Sequence, residues 1–121
     1  MNPLDELPLF VFGTLRRGQS NHQCLAGRYD RWLPATLCEF KRTTAAHGFP
    51  QVAPSPGEQV AGELFFIRPA DFHETLRACD ILEDIPSGQL VGPYYQRAQV
   101  VVQTAHGNVT AWAYIAPDAK A

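Results

Sequence analysis

The run Leu7-Pro8-Leu9-Phe10-Val11-Phe12 is apolar, rich in β-favouring residues and stopped by Gly13. Such a run has no polar face to leave in water, so it predicts a strand covered on both sides that empties into a tight loop. A strand of that kind needs sheet neighbours and something packed over each face. With 121 residues, 45% of them hydrophobic and 18% charged, the chain has the apolar material for one compact domain over 1–121, without disulfides or metal.

The neighbours follow along the chain. Residues 32–40 read as a strand interrupted by Pro34, Val60 to Ile67 as another, and Tyr94 to Thr104 and Val109 to Ala116 as a hairpin turned at Ala105-His106-Gly107-Asn108. Between Ser20 and Gly27 the residues suit a short helix. Arg68-Pro69-Ala70-Asp71 starts a second helix, with Phe72, Leu76 and Cys79 at helical spacing. From Thr43 to Gln59 the Gly, Pro and Ser content predicts loop around a short strand at Gln51 to Ala53. The expected class is α+β, a small mixed, barrel-like sheet with two or three short helices.

Charge and cysteine usage narrow the function. A formal net charge of −2, with Arg16-Arg17 and Lys41-Arg42 as the only adjacent basic pairs, excludes the phosphate attraction that nucleic-acid binding requires. Met1 to Glu6 carries Asp5 and Glu6 instead of a basic segment, and the following apolar run is too short for a signal or a membrane span. A cytoplasmic protein with no membrane partner is expected. Cys24, Cys38 and Cys79 are odd in number and widely spaced, as reduced thiols would be. The oligomeric state is not encoded in any pattern we find.

Three places could carry chemistry. Gly13 follows a buried strand, where successive backbone N–H groups can turn towards an anion such as a carboxylate. Gln19 stands where a phosphate-binding loop needs Lys, so a nucleotide is not expected. Next, Asp80, Glu83 and Asp84 sit among Ile81, Leu82 and Ile85 at a helix exit. A carboxyl held against apolar neighbours beside like charges has a raised pKa and can exchange a proton near neutrality. Taken alone, such a turn is more simply a solvated acidic surface. Last, Tyr95, Arg97, Trp112 and Tyr114 lie on the hairpin, where a Tyr hydroxyl can bond a polar ligand and Arg97 can pair with a carboxylate of ligand or protein. His73-Glu74 lacks its second His, and His22, His47 and His106 have no ligand spacing, so no metal or cofactor is expected.

In this order the segments resemble the γ-glutamyl cyclotransferase-like family, and within it the γ-glutamylamine cyclotransferases. The resemblance rests on Phe10 through His22, Gly62-Glu63-Leu64-Phe65, Asp80 through Ser87, Tyr95-Gln96-Arg97 and Ala111-Trp112-Ala113-Tyr114. It implies a barrel-like fold and a small γ-glutamyl substrate. Backbone amides of Phe12, Gly13, Thr14 and Leu15 would hold its glutamyl end, helped by Tyr95, Arg97 and Tyr114, with Glu83 as the acid/base. The product would be 5-oxoproline. Phe12 stands where the family pattern usually has Tyr, and Gly88 to Pro93 is longer than in the amine-specific members. A binding module for a small carboxylate or amide metabolite, and a protein-interaction domain using a sheet edge, are the competing readings.

Overall fold

The first strand, β1 (Leu9–Val11), is buried at every position, as a run without polar alternation requires. The structure is a computed structural model that describes residues 6–44, 48 and 50–119. His47 and the Met1 to Asp5 stretch, considered above, lie outside the described residues. The remaining strands are β2 (Tyr29–Thr44), β3 (Pro50–Ile67), β4 (Gln96–Thr104) and β5 (Gly107–Ile115). Among the described residues one α-helix, α1 (Phe72–Leu82), follows a 3-10 turn at Pro69–Asp71. No helix among the described residues is long and apolar enough to cross a membrane.

The sheet is a closed barrel in the order β1-β3-β2-β4-β5. β1 completes it, pairing antiparallel with β3 through Leu9↔Phe65 and parallel with β5 through Leu9↔Trp112. That parallel contact makes the sheet mixed, as expected for the α+β class. Alternation along the strands then separates two cores. Phe10, Leu37, Val52, Leu64, Val102 and Ile115 fill the barrel. Leu9, Val11, Phe65, Leu76, Cys79 and Trp112 belong to a second cluster between the barrel wall and α1.

The segment from Thr43 to Gln59 departs from expectation. It is not a loop: β2 and β3 pair from Tyr29↔Ile67 to Thr44↔Pro50. The Pro-Ser-Pro-Gly signal at 54–57 marks an excursion within the ladder, between Cys38↔Gln59 and Phe40↔Pro54. Glu39 takes a positive φ of 66° there, and its carboxylate accepts from the Gly57 N–H at 2.7 Å. Turn-forming residues thus make a bulge that bends the ribbon. Pro34 does not interrupt β2; it pairs with Glu63, while β2 meets β4 at Thr36 alone, leaving an edge that tolerates proline. The helix expected at Ser20 to Gly27 is a 3-10 turn, His22–Cys24, and the β4–β5 turn is tighter than expected, at residues 105 and 106.

Two contacts set measurable stabilities. A Cβ added at Gly62 would lie 2.6 Å from the Cζ of Phe10 and would also collide with the Val11 carbonyl. Gly62→Ala should therefore destabilise the fold by about 1–3 kcal/mol in urea unfolding. Thr75 is fully buried in α1, and its hydroxyl has no partner among the described residues. Thr75→Val removes that group at nearly constant shape and should raise stability by about 1 kcal/mol in the same assay.

Candidate active site

Glu83 owes its position to the way α1 ends. The Ile85 N–H reaches the Asp80 carbonyl at 2.9 Å and the Asp84 N–H reaches the Ile81 carbonyl at 3.1 Å. This is a Schellman closure, with Asp84 in the left-handed region at φ 59° where glycine is usual. Ile85 then turns back into the core beside Cys79. Glu83, as the C-cap residue, is held between the helix and this buried anchor. Gly92 packs on the far side of the turn, so close that an added Cβ would sit 2.6 Å from the Asp84 carbonyl oxygen.

The loop after β1 is organised by its carbonyls. Phe12 O accepts from Arg42 Nη2 at 2.7 Å, and Gly13 O from the Arg16 N–H at 3.1 Å and Arg16 Nε at 3.0 Å. Thr14 O accepts from the Asn21 N–H at 2.9 Å, and Leu15 O from His22 Nδ1 at 2.9 Å. A trans peptide aims its N–H opposite to its carbonyl. With the carbonyls engaged, the N–H groups of Gly13, Thr14 and Leu15 are left without a protein acceptor among the described residues. Such successive free amides form an anion-binding concavity.

These two features face one cavity of about 170 Å³, lined by Phe10 to Arg16, Gln19, Pro50, Glu83, Tyr95 and Tyr114. Burial, then the charges of Asp84 and Asp80, raise the Glu83 carboxyl to about 7. Tyr95 donates to the Pro50 carbonyl at 2.6 Å. Burial, then the Glu83 charge, pushes its hydroxyl up to about 12, so it remains a neutral donor. The cavity therefore joins a row of N–H donors to a carboxyl that changes charge near neutral pH.

Of the residues singled out from sequence, Phe12, Gly13, Thr14, Leu15, Glu83, Tyr95 and Tyr114 all line this cavity, and Arg97 does not. Arg97 is instead bidentate to Asp80, at 2.8 and 3.1 Å, with its guanidinium 4.6 Å from the Trp112 ring centre. Tyr114 donates at 2.6 Å to Asp80 Oδ1, the oxygen that also accepts from Arg97 Nε. The choice left open for Arg97 thus falls to a protein carboxylate, because a guanidinium this buried needs a fixed counter-ion. Asp80 is the hub that sequence reasoning did not single out; its signal was helical spacing from Glu83. Pro50 was missed because its segment read as loop, and Arg42 because it stood only as half of a basic pair between the strand at 32–40 and that loop. Gly88, Gln89 and Leu90 do not line the Glu83 cavity. They border a second one, of about 310 Å³, with Asp80 and Arg97.

Residues 9–121 match the family model described as gamma-glutamyl cyclotransferase, AIG2-like. A Drosophila melanogaster protein, provisionally named a γ-glutamylcyclotransferase, is 30% identical over 117 residues, covering 88% of this chain and 68% of its own. A solution structure from Arabidopsis thaliana superposes with a TM-score of 0.67 at 20% identity, covering 95% of this chain and 64% of the other. A structure named gamma-glutamyl cyclotransferase gives 0.59 at 18% identity, covering 91% of this chain and 66% of the other. These structural likenesses concern the fold, and the chain spans about two thirds of each protein's length. By the match over residues 9–121, the chain belongs to the AIG2-like γ-glutamyl cyclotransferase family.

Proposed function

We propose that this protein is a γ-glutamyl cyclotransferase of the γ-glutamylamine or a related type, releasing 5-oxoproline and a free amine from a γ-glutamyl amide. The observation that carries the reading is Glu83, with a carboxyl near 7, in the same cavity as the free Gly13–Leu15 amides. The amides would receive the substrate's α-carboxylate. Glu83 takes a proton from the α-ammonium, and the freed amine attacks the γ-amide carbonyl carbon. A carbon–nitrogen bond forms, closing the five-membered ring. Glu83 returns the proton to the departing nitrogen as its bond to that carbon breaks. The ring nitrogen, left with one proton too many by the attack, passes it to the released amine, which departs as an ammonium, so atoms and charge balance without a cofactor. Holding amine and carbonyl in contact is itself a large part of the rate enhancement in an intramolecular closure. Tyr95 and Tyr114 would bound the glutamyl group; Arg97 acts one layer back, through Asp80.

Incubation with γ-glutamyl-lysine and other γ-glutamyl amides should yield 5-oxoproline by chromatography, and Glu83→Gln should lower kcat/KM at least about 100-fold. Absence of product from every amide, or full activity in Glu83→Gln, removes the mechanism. Saturable calorimetric binding without turnover would instead identify a binding module.

Because Glu83 must be ionised to act as base, kcat/KM should rise with pH through a midpoint near 7. Asp84→Asn keeps a residue that tolerates the left-handed region and removes a charge facing Glu83, so the midpoint should move to lower pH.

Stability should move the other way. A carboxyl raised from 4.5 to about 7 on folding contributes most below 4.5 and loses that contribution as pH rises through 7. Glu83→Gln should thus gain stability over the wild type between pH 5 and 8, by up to about 3 kcal/mol in urea titrations.

A further inference from the structure

We infer that Arg42 is a positioning residue of this site, holding the Phe12–Gly13 peptide with its N–H turned into the cavity; this rests on the reading that the loop amides receive a carboxylate. Arg42 lies on β2 beyond the Glu39 bulge, where the register shifts between Cys38 and Phe40. It shares the strand face of Phe40, which is buried in the barrel core, two residues earlier. Arg42 there reaches the chain leaving β1, at Phe12. The guanidinium donates to Phe12 O at 2.7 Å, across 30 positions of sequence, with its centre 5.6 Å from the Phe12 ring centre. Among the described residues Arg42 makes no ion pair. Arg42 is exposed, and its bond to the Phe12 carbonyl is what ties the guanidinium to the loop.

Two consequences follow. Rotation of the Phe12–Gly13 peptide would swing the carbonyl into the cavity, where it would repel a carboxylate; the charged bond to Arg42 opposes that rotation. The same bond also polarises the peptide, which strengthens the Gly13 N–H as a donor. Thr14 and Leu15 are held by bonds internal to the loop, through Arg16 and Asn21. Gly13 alone depends on a residue from another strand. Arg42 does not line the cavity, so it acts through the peptide and not on the substrate.

The test compares wild type, Arg42→Ala and Arg42→Lys, each checked for an unchanged thermal midpoint. With a γ-glutamyl amide as substrate, Arg42→Ala should raise KM about 10-fold or more, the loss expected for a charge-assisted hydrogen bond. It should leave the pH midpoint of kcat/KM unchanged, since Glu83 is untouched, and Arg42→Lys should recover part of the KM. Equal KM values in Arg42→Ala and wild type overturn the proposal. Should wild type release no 5-oxoproline, the functional reading fails by itself and the peptide's orientation is read directly. In free protein the Phe12 carbonyl carbon and Gly13 amide nitrogen NMR shifts should move in Arg42→Ala and largely return in Arg42→Lys. Identical shifts in all three proteins overturn the proposal independently of activity.

Discussion

β1 is three residues long, and the site depends on its burial between two cores. Its antiparallel pairing with β3 and parallel pairing with β5 close the barrel. Its alternating side chains belong to the barrel core on one side and to the α1 cluster on the other. A strand pinned in this way cannot slide or tilt, so the chain leaving it at Phe12 starts from a fixed point. Gly62 matters for the same reason: only a missing side chain lets β3 approach the Phe10 ring and Val11 carbonyl so closely. From that fixed exit, four residues turn with their carbonyls engaged elsewhere, and the amides between them become available to a ligand.

The second half of the site is electrostatic, and it separates two carboxylates that lie within one turn of helix. Asp80 faces Arg97 and Tyr114, takes hydrogen bonds from both and is fixed as an acceptor. Glu83 is partly buried with no such cation among the described residues, and Asp84 and Asp80 add like charge. Neighbouring carboxyl groups whose environments differ this much take different roles, one structural and one able to exchange a proton. The Arg97 ion pair fastens α1 to β4. For Glu83 burial is the largest influence, ahead of the charges of Asp84 and Asp80.

The bulge at Glu39 links the barrel to this chemistry. It lets β2 bend, so that the ribbon beyond it brings Arg42 to the β1 exit and Pro50 to the cavity wall. Tyr95 then joins β3 to the start of β4 through the Pro50 carbonyl, and the Gln51 side chain donates to the Tyr94 carbonyl at 2.6 Å. Phe12 is thus flanked by a guanidinium that bonds its carbonyl and lies near its ring.

By itself the sequence determined the local elements whose signals are short in range. Leu7 to Phe12 had to be a doubly covered strand because it offers no polar face, the hairpin carried its alternation on either side of a turn, and Gly13 had to begin a loop. The acidic turn at 80–84 was legible as a set of carboxylates, and the resemblance singled out Glu83 among them. Which of the turn's carboxylates is neutralised was not legible, because Arg97 reaches Asp80 only once β4 is packed against α1. Nor was the long β2–β3 ribbon: prolines and glycines carry the same local signal in a loop and in a bulge, and only the register between two distant strands distinguishes them. Burial, counter-ions and register are relations between residues far apart in the chain. They come into being when the barrel closes, and with them the proton affinity of Glu83 and the direction of the Gly13 N–H.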